Sequence, residues 1–413
     1  MLPRLNFLTK GTTIPPQRLL AVVGLFSSSF AWFYVFFNYF DEFSPGSINS
    51  FWYNAGVVTL LTFVAVSAIL GSAIAGKVDR RKLLFIWITS GVLAVIPIPF
   101  FQNKEFLPIW CALAGFSFGV GFPSCQAFFV ESTASEERGK VGGLMILVTF
   151  VLVAFSFVLK PALSLDPSGI VLLLIGIKSI GFLSLIFDPF NRVQNEPKPW
   201  RNIVRYRDFN LYLLAYVLFN VAAGLVVLLW NSVPSNEAYD QVTRDGGILR
   251  LLGLCVSAIV AGFAADRIGR KKPIMFGLFM LGAAYALVGL LTTPDTYFVT
   301  LMLSGFAWGI IMVGYLVVPG DLAFPGSAER FYTVGWVLPL ILYTAVEGTG
   351  RLNGYSPRID LFSTILTIIL FAAILPLWSA VETMSESKIR ERRLREHAQR
   401  VSKLVQESQA DEV

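Results

Sequence analysis

The segment "GFAADRIGRKKP", residues 262–273, places five charged side chains within the seven positions from Asp266 to Lys272. It lies between two apolar stretches that are each long enough to cross a bilayer. The hydrocarbon core of a bilayer is about 30 Å thick, so a spanning helix needs roughly 20 apolar residues. A charged cluster between two such stretches predicts a loop at the membrane surface.

The composition of the whole chain agrees with this interpretation. Hydrophobic residues make up 55% of the 413 residues and charged residues 15%, whereas soluble domains are about 25% charged. The apolar residues come in long uninterrupted blocks rather than at the spacing of an amphipathic helix or strand. We therefore expect an integral membrane protein.

Twelve spans are predicted, and they fall into two sets of six. The first six are near 18–40, 52–76, 83–102, 107–130, 141–160 and 168–187. The second six are near 209–231, 247–265, 273–292, 296–318, 331–350 and 359–379. The predicted units are an N-terminal bundle at 1–187, a cytoplasmic linker at 188–208, a C-terminal bundle at 209–380 and a cytoplasmic tail helix at 381–413.

Lysine and arginine predict the orientation of the chain. If both termini are cytoplasmic, all but seven of the 33 Lys and Arg residues lie on the cytoplasmic side. Cytoplasmic loops carry such an excess in membrane proteins. We expect a multi-pass protein of the cell (inner or plasma) membrane with both ends in the cytoplasm.

A constant offset relates the two sets of spans. Asp79 and Asp266 follow corresponding spans 187 residues apart, and Glu131 and Asp321 end corresponding spans 190 residues apart. The pattern indicates two tandem halves of parallel topology, an arrangement that transporters use to build a site at the repeat interface.

Several partners and chemistries are not expected. The net charge of +6 comes from short clusters between apolar blocks, so no nucleic-acid surface is predicted. Cys111, Cys125 and Cys255 lie inside apolar blocks, and the single histidine is His397 in the tail. No disulfide, metal site, cofactor or catalytic cluster follows from these positions. We predict a monomeric protein that is not an enzyme.

The loop motifs resemble those of the major facilitator superfamily (MFS). The family's G-x-x-x-D-R-x-G-R-[RK]-[RK] loop is matched in full by Gly262, Asp266, Arg267, Gly269, Arg270, Lys271 and Lys272. The first-half copy, "GKVDRRKLL" at 76–84, lacks the x-G-x insert. A second family signature is similar to "ESTASEERG" at 131–139, with an echo in "DLAFPGSAER" at 321–330. The stretch "VETMSES" at 381–387 is weakly similar to sugar and metabolite porters.

This resemblance implies an all-α membrane protein with twelve transmembrane helices in two six-helix bundles. It also implies a secondary active transporter that moves a small organic solute, sugar-like or another metabolite, by alternating access. One alternative is an exporter of amphipathic drugs or lipids, and another is a non-transporting sensor on the same scaffold. The expected partners are a small-molecule substrate, the lipid bilayer and, as a candidate coupling ion, protons.

Charged residues at the cytoplasmic ends of the spans are the candidate gate. We expect Arg267 and Arg330 to reach Asp266 and Asp321 and to hold the halves together until they separate. The alternative is that these residues are ordinary positive-inside anchors. The candidate gating residues are Asp79, Arg80, Glu131, Arg138, Asp266, Arg267, Arg270, Asp321 and Arg330.

The resemblance places the pore between spans 1, 4, 7 and 10, with help from 2, 5, 8 and 11. Aromatic rings and amides there suit a neutral or weakly polar organic molecule. For each aromatic residue, helix packing is the alternative role. The candidate substrate-binding residues are Trp32, Tyr34, Asn38, Gln126, Asn220, Trp308, Tyr315, Trp336 and Tyr343.

Three ionisable residues within spans are candidates for ion coupling. Lys178 falls at the centre of the sixth span, where it must turn inward or occupy a protein pocket. Glu347 and Arg250 lie at similar depths near the outer ends of their spans and are expected to pair. Their alternative role is a solvated pair at the mouth.

Overall fold

The computed structural model describes residues 14–43, 50–187, 199–231, 236–352 and 358–384. Within these ranges the regular elements are helices, without a strand. The helices of the first half are α1 Pro16–Tyr39, α2 Ser50–Ala75, α3 Arg80–Val95, α4 Leu107–Ser132, α5 Arg138–Ala162 and α6 Pro167–Phe187. Those of the second half are α7 Arg207–Asn231, α8 Glu237–Ile268, α9 Lys271–Leu290, α10 Pro294–Leu322, α11 Ala328–Leu352 and α12 Ile359–Ala372.

These helices confirm the predicted membrane architecture. Eleven helical segments of the described residues are long and apolar enough to cross a bilayer. The remaining long helix, α11, has 25 residues, which is also sufficient for a span. Its first turn carries the charged residues Glu329 and Arg330. The protein is an all-α membrane protein with twelve helices in two six-helix bundles.

Local sequence explains where the helices that carry the charged loops begin and end. The carboxylate of Asp79 caps α3 by accepting a hydrogen bond from the backbone N–H of Lys82 at 3.0 Å. At the end of α8, Gly269 has a φ of 97°, a left-handed conformation that favours glycine. The chain therefore reverses sharply at Gly269, and α9 begins two residues later.

Apolar packing builds a core in each half and a seam between them. One buried core is formed mainly by α1–α6, and a second by α7, α9, α10, α12 and the helical turns after α12. The first core continues into α8 and α10 through Leu254, Ala258 and Leu316. The halves meet where α5 packs on α8 and α2 packs on α11.

Glycines allow α5 and α8 to approach each other closely. A Cβ at Gly139 would lie 2.6 Å from the carbonyl oxygen of Gly262, and a Cβ at Gly262 would lie 2.5 Å from that of Gly139. Only a residue without a side chain fits either position. This crossing lies at the end of the molecule formed by the α2–α3, α4–α5, α8–α9 and α10–α11 connections, which we call the basic face.

Parts of the predicted linker and tail also contact the basic face. A short helix at Trp200–Val204 precedes α7, and Ile203 packs with Phe209 and Phe331 at the start of α11. Residues 188–198 of the linker lie outside the described part of the chain. So does the predicted tail helix beyond Met384.

Candidate functional site

The first cluster at the basic face joins the halves through Asp321, which ends α10. Its Oδ1 pairs with Nη1 of Arg138 at the start of α5, and its Oδ2 accepts a hydrogen bond from Nε of Arg270 at 2.9 Å. Arg270 also donates Nη1–H to Asp266 at 2.6 Å and Nη2–H to the carbonyl oxygen of Ser135. Two arginines and two carboxylates are therefore buried together, and each half supplies at least one cation.

Asp266 adds a second type of contact between the halves. Its Oδ1 accepts the backbone N–H of Gly139 at 2.8 Å, and its Oδ2 accepts that of Lys140 at 2.7 Å. These amides belong to the first turn of α5, where N–H groups have no partner within the helix and the helix dipole favours negative charge. The C-terminal half thus supplies an acid that caps a helix of the N-terminal half.

A second cluster is centred on Arg80, the first residue of α3. Its guanidinium binds both carboxylate oxygens of Glu131, at 2.5 Å from Nη1 and 2.9 Å from Nη2. Its Nη2 also lies 2.6 Å from Oε1 of Glu329 at the start of α11. Arg80 and Glu131 belong to the N-terminal half and Glu329 to the C-terminal half, so this cluster also joins the halves.

The two clusters repeat one arrangement. In each half, an arginine at the start of the third helix binds the acid that ends the fourth helix: Arg80 with Glu131, and Arg270 with Asp321. Each of these pairs then contacts the start of the fifth helix of the opposite half. That contact is made by Glu329 in one cluster and by Arg138 in the other. The internal repeat therefore places two related ion clusters on the basic face.

The remaining candidate gating residues lie outside these clusters. Arg267 is exposed, because the turn at Gly269 directs Arg270 rather than Arg267 toward the carboxylates. Arg330 lies with its guanidinium carbon 5.3 Å from the ring centre of Trp200. Asp79 is exposed and caps α3. In the described part of the chain, the ion pairs of Asp266 and Asp321 are made by Arg270 and Arg138, whereas Arg267 and Arg330 were expected there.

Two acids of these clusters were missing from the sequence-based candidates. Glu382 accepts hydrogen bonds from the backbone N–H groups of Arg270 at 2.6 Å and Lys271 at 3.2 Å. It lies in the stretch that resembles sugar porters, and this resemblance could have identified Glu382 as a candidate. Glu329 sits beside Arg330 in the echo of the second motif, but its pairing with Arg80 spans 249 positions and has no local signal.

The charge state of Arg270 suits its role in the cluster. Burial disfavours the charged guanidinium, but the negative charges of Asp321 and Asp266 outweigh this effect and raise the pKa of Arg270 above its ordinary value. Arg270 therefore keeps its positive charge over the whole physiological pH range.

Aromatic residues join the halves deeper in the molecule. The ring of Trp336 on α11 stands edge-on to Phe30 of α1 at 6.2 Å and to Phe122 of α4 at 5.2 Å between ring centres. Phe122 in turn packs against Phe118 at 4.5 Å. Trp336 is thus a candidate substrate-binding residue that contacts aromatic rings of the opposite half.

Within the described residues, buried polar atoms without a hydrogen-bond partner occur at four candidate substrate-binding residues. They are both amide atoms of Gln126 on α4, the hydroxyl of Tyr315 on α10, and the indole nitrogens of Trp32 on α1 and Trp308 on α10. Tyr315 stacks on Tyr216 of α7 with 4.0 Å between ring centres. Such groups are rare in folded proteins because an unsatisfied buried donor or acceptor is destabilising, so each requires an explanation.

The other candidate substrate-binding residues have local partners. The amide groups of Asn38 and Asn220 donate to the carbonyl oxygens of Tyr34 and Tyr216, one helical turn earlier, at 2.7 Å and 2.8 Å. Tyr34 packs edge-on against Phe150, and Tyr343 is half-buried on α11. The ring of Trp308 packs edge-on against Phe219, although its indole nitrogen has no hydrogen-bond partner among the described residues.

Lys178 is fully buried inside the N-terminal bundle. Its ammonium lies 4.0 Å from the ring centre of Trp87 and 5.2 Å from that of Trp32, and it donates to the hydroxyl of Ser29 at 3.1 Å. Within the described residues no carboxylate forms an ion pair with it. Arg250 is half-buried on α8. The side chain of Glu347 lies outside the described part of the chain, and so does the predicted pair.

Known proteins share both the sequence pattern and the fold. A sequence profile described as Major Facilitator Superfamily matches residues 19–342. The uncharacterized MFS-type transporter YceJ of Bacillus subtilis (strain 168) is 23% identical over 183 residues, which cover 41% of this chain and 46% of YceJ. This match thus spans less than half of the length of either protein.

Solved structures match over most of the chain. The human organic anion transporter MFSD10 (TETRAN) has a TM-score of 0.66 at 13% identity, covering 88% of this chain and 100% of MFSD10. The proton:xylose symporter XylE has a TM-score of 0.64 at 13% identity, covering 91% of this chain and 98% of XylE. At this identity the likeness shows the fold, whereas the profile covers most of the chain's length. The chain belongs to the major facilitator superfamily.

Proposed function

We propose that the protein is a secondary active transporter that moves a small organic solute across the cell membrane by alternating access. In this proposal both termini are cytoplasmic, so the basic face is the cytoplasmic face. The two ion clusters form the inner gate, which is closed in the structure described above. A substrate enters from the outside and leaves after the clusters separate.

The contact of Asp321 with Arg138 and Arg270 is the observation that carries the proposal. Arg138 belongs to the opposite half, so opening the gate breaks its pair with Asp321. Breaking a buried ion pair is costly when one charge stays buried, but water solvates both charges once the halves separate. Charged clusters of this kind support two stable arrangements rather than a continuous range.

The candidate binding residues favour a neutral or weakly polar solute, such as a sugar-like molecule or another metabolite. Within the described residues, the amide of Gln126 and the hydroxyl of Tyr315 have no hydrogen-bond partner, so we assign both to ligand binding. The rings of Trp336, Phe30 and Phe122 supply apolar and stacking surface. Pockets that combine aromatic walls with a few polar groups recognise such molecules.

The same aromatic rings keep an exporter of amphipathic drugs or lipids as the second candidate. The stack of Phe33 on Phe118, with 4.2 Å between ring centres, extends the apolar surface next to Phe122. A hydrophobic substrate would use this surface more than the amide of Gln126. The two candidates predict different substrates. The first predicts transport of sugars or polar metabolites, and the second predicts transport of amphipathic drugs or lipids.

Lys178 is our candidate for proton coupling. It is a buried cation whose described contacts are a hydroxyl and two aromatic rings, and Cys125 of α4 is the titratable group that faces it. Gain and loss of a proton at such a site changes the packing of α1, α3 and α6 around it. Ionisable residues within membrane spans commonly serve proton relays.

Transport by purified protein in liposomes tests the proposal. We expect uptake of at least one member of a panel of sugars and polar metabolites, and a loss of about tenfold in the Asp321→Asn variant, because the gate then loses its shared acid. Asp240→Asn changes an exposed acid on α8 and should transport normally. Ligand binding without uptake of any panel member or amphipathic drug would indicate a sensor and contradict the proposal.

A further inference from the structure

A groove opens between α3 and α6 on the outer side of the N-terminal bundle, next to the basic face. Its volume is about 550 Å³. Its walls are mainly apolar, and two basic residues stand at one end. The lining residues are Arg81, Lys82, Phe85, Ile86, Phe182, Leu185 and Ile186.

The apolar wall of the groove is open to its surroundings. Phe85 is 54% exposed, Ile86 59% and Ile186 72%. On a membrane-spanning helix, apolar side chains that are not buried in protein face the acyl chains of the bilayer. The rings of Phe85 and Phe182 lie 5.4 Å apart and form the floor between the two helices. An acyl chain can therefore lie along this wall without displacing any protein contact.

The basic end of the groove has unused hydrogen-bond donors. Arg81 makes one long contact, from Nη2 to the carbonyl oxygen of Leu185 at 3.4 Å, and Lys82 is exposed. Within the described residues, neither side chain forms an ion pair with an acid. Asp79 is nearby, but its carboxylate accepts the backbone N–H of Lys82 as a helix cap. Two cations thus face the membrane surface at the end of an apolar groove.

The corresponding helix start in the other half lacks this feature. The ammonium of Lys271, the first residue of α9, donates to the carbonyl oxygens of Trp378 at 2.8 Å and Ala380 at 3.0 Å. The carbonyl groups of the turns after α12 therefore bind the lysine that would otherwise face lipid. The groove at Arg81 is a property of one half and does not follow from the internal repeat.

We propose that this groove binds an anionic phospholipid of the surrounding bilayer. The phosphate accepts hydrogen bonds from Arg81 and Lys82, and one acyl chain lies along Phe85 and Ile186. Basic pockets between transmembrane helices bind anionic headgroups in this way, and each basic residue near an anionic surface adds to the attraction. The site is separate from the pore, so this inference does not depend on the proposed transport activity.

Native mass spectrometry of the purified full-length protein tests the site. The probes are phosphatidylglycerol and phosphatidylcholine with the same acyl chains, added separately. We expect the wild-type protein to bind phosphatidylglycerol to the same extent as phosphatidylcholine at an added lipid concentration that is about tenfold lower. The Arg81→Gln/Lys82→Gln variant should lose this preference. The matched control, Arg267→Gln/Lys272→Gln, removes one exposed arginine and one exposed lysine from the other half and should keep it.

A second variant tests the apolar part of the site. Ile186→Trp fills the groove and leaves both charges in place, so retention of phosphatidylglycerol should fall severalfold although the surface charge is unchanged. Equal retention of the two lipids by the wild-type protein, or equal losses in the two double variants, would overturn the proposal. Full displacement of the lipid by millimolar inorganic phosphate would also overturn it, because the site would then recognise a soluble anion.

Discussion

Asp266 accepts a hydrogen bond of 2.8 Å from the backbone N–H of Gly139, 127 positions earlier in the chain. The acid ends a helix of one half, and the amide begins a helix of the other. A carboxylate satisfies these amides only while the halves are in contact, so this bond reports directly on whether the basic face is closed.

The first prediction compares the loss of Arg80 with the loss of Glu329, one of the two acids that Arg80 binds. Arg80→Gln removes the cation that Glu131 and Glu329 share, so the buried carboxylate of Glu329 loses its cation beside the partly exposed carboxylate of Glu131. We expect the free energy of unfolding to fall by about 3 kcal/mol, the usual cost of breaking a buried pair. Glu329→Gln leaves Arg80 paired with Glu131, so its cost should be about 1 kcal/mol.

Thermal unfolding in detergent, with Lys77→Gln as the exposed control, measures both changes. Equal destabilisation by Arg80→Gln and Glu329→Gln would show that the cation is not shared between the two acids.

The second prediction concerns the crossing of α5 and α8. Gly262→Ala places a methyl group 2.5 Å from the carbonyl oxygen of Gly139, so the helices must separate. Gly247→Ala on the same helix meets open space and is the matched control. We expect transport to fall severalfold in the first variant and to stay normal in the second. Normal transport by both would mean that close contact at this crossing is not needed.

The third prediction separates stability from function at Gln126. Its amide is buried without a partner, which costs about 1–3 kcal/mol. Gln126→Leu removes this cost at similar volume, so the protein should become more stable while its KM for the transported solute rises. Thermal unfolding and uptake kinetics measure the two effects. Lower stability with an unchanged KM would assign Gln126 to helix packing.

The fourth prediction concerns coupling through Lys178. Lys178→Gln keeps a polar side chain beside Ser29 but cannot gain or lose a proton. If Lys178 carries the coupled proton, uptake with and without a pH gradient should become equal in this variant. Lys160→Gln, which removes a half-exposed lysine paired with Glu42, should preserve the difference. A pH response of wild-type size in Lys178→Gln would exclude this role.

Much of the fold could be predicted from the sequence, because bilayer thickness dictates the length of each apolar block. The loop motif placed Asp266 and the start of α9 correctly at one end of the molecule. The constant offset between Glu131 and Asp321 matches their corresponding places in the two ion clusters.

The pairing within the clusters could not be predicted from the sequence. Arg267 and Arg270 are both basic and lie three positions apart, and only the backbone turn at Gly269 determines which of them reaches the carboxylates. Glu329 pairs with Arg80 because of the way that whole bundles dock. No sequence pattern around Glu329 predicts that docking.

The most direct test of the gate is the accessibility of a buried position between the halves. Val317 on α10 is fully buried, and its methyl group lies 3.2 Å from where a Cβ on Gly142 of α5 would be. A Val317→Cys variant can be labelled with a hydrophilic maleimide, and the native chain serves as a blank because Cys111, Cys125 and Cys255 are buried.

We predict slow labelling of Val317→Cys alone and labelling that is about tenfold faster when Asp266→Asn is added, because the basic face then opens more often. Adding Asp240→Asn instead should leave the rate unchanged. An equal labelling rate with and without Asp266→Asn, in protein that remains folded, would contradict the claim that these ion clusters hold the two halves together.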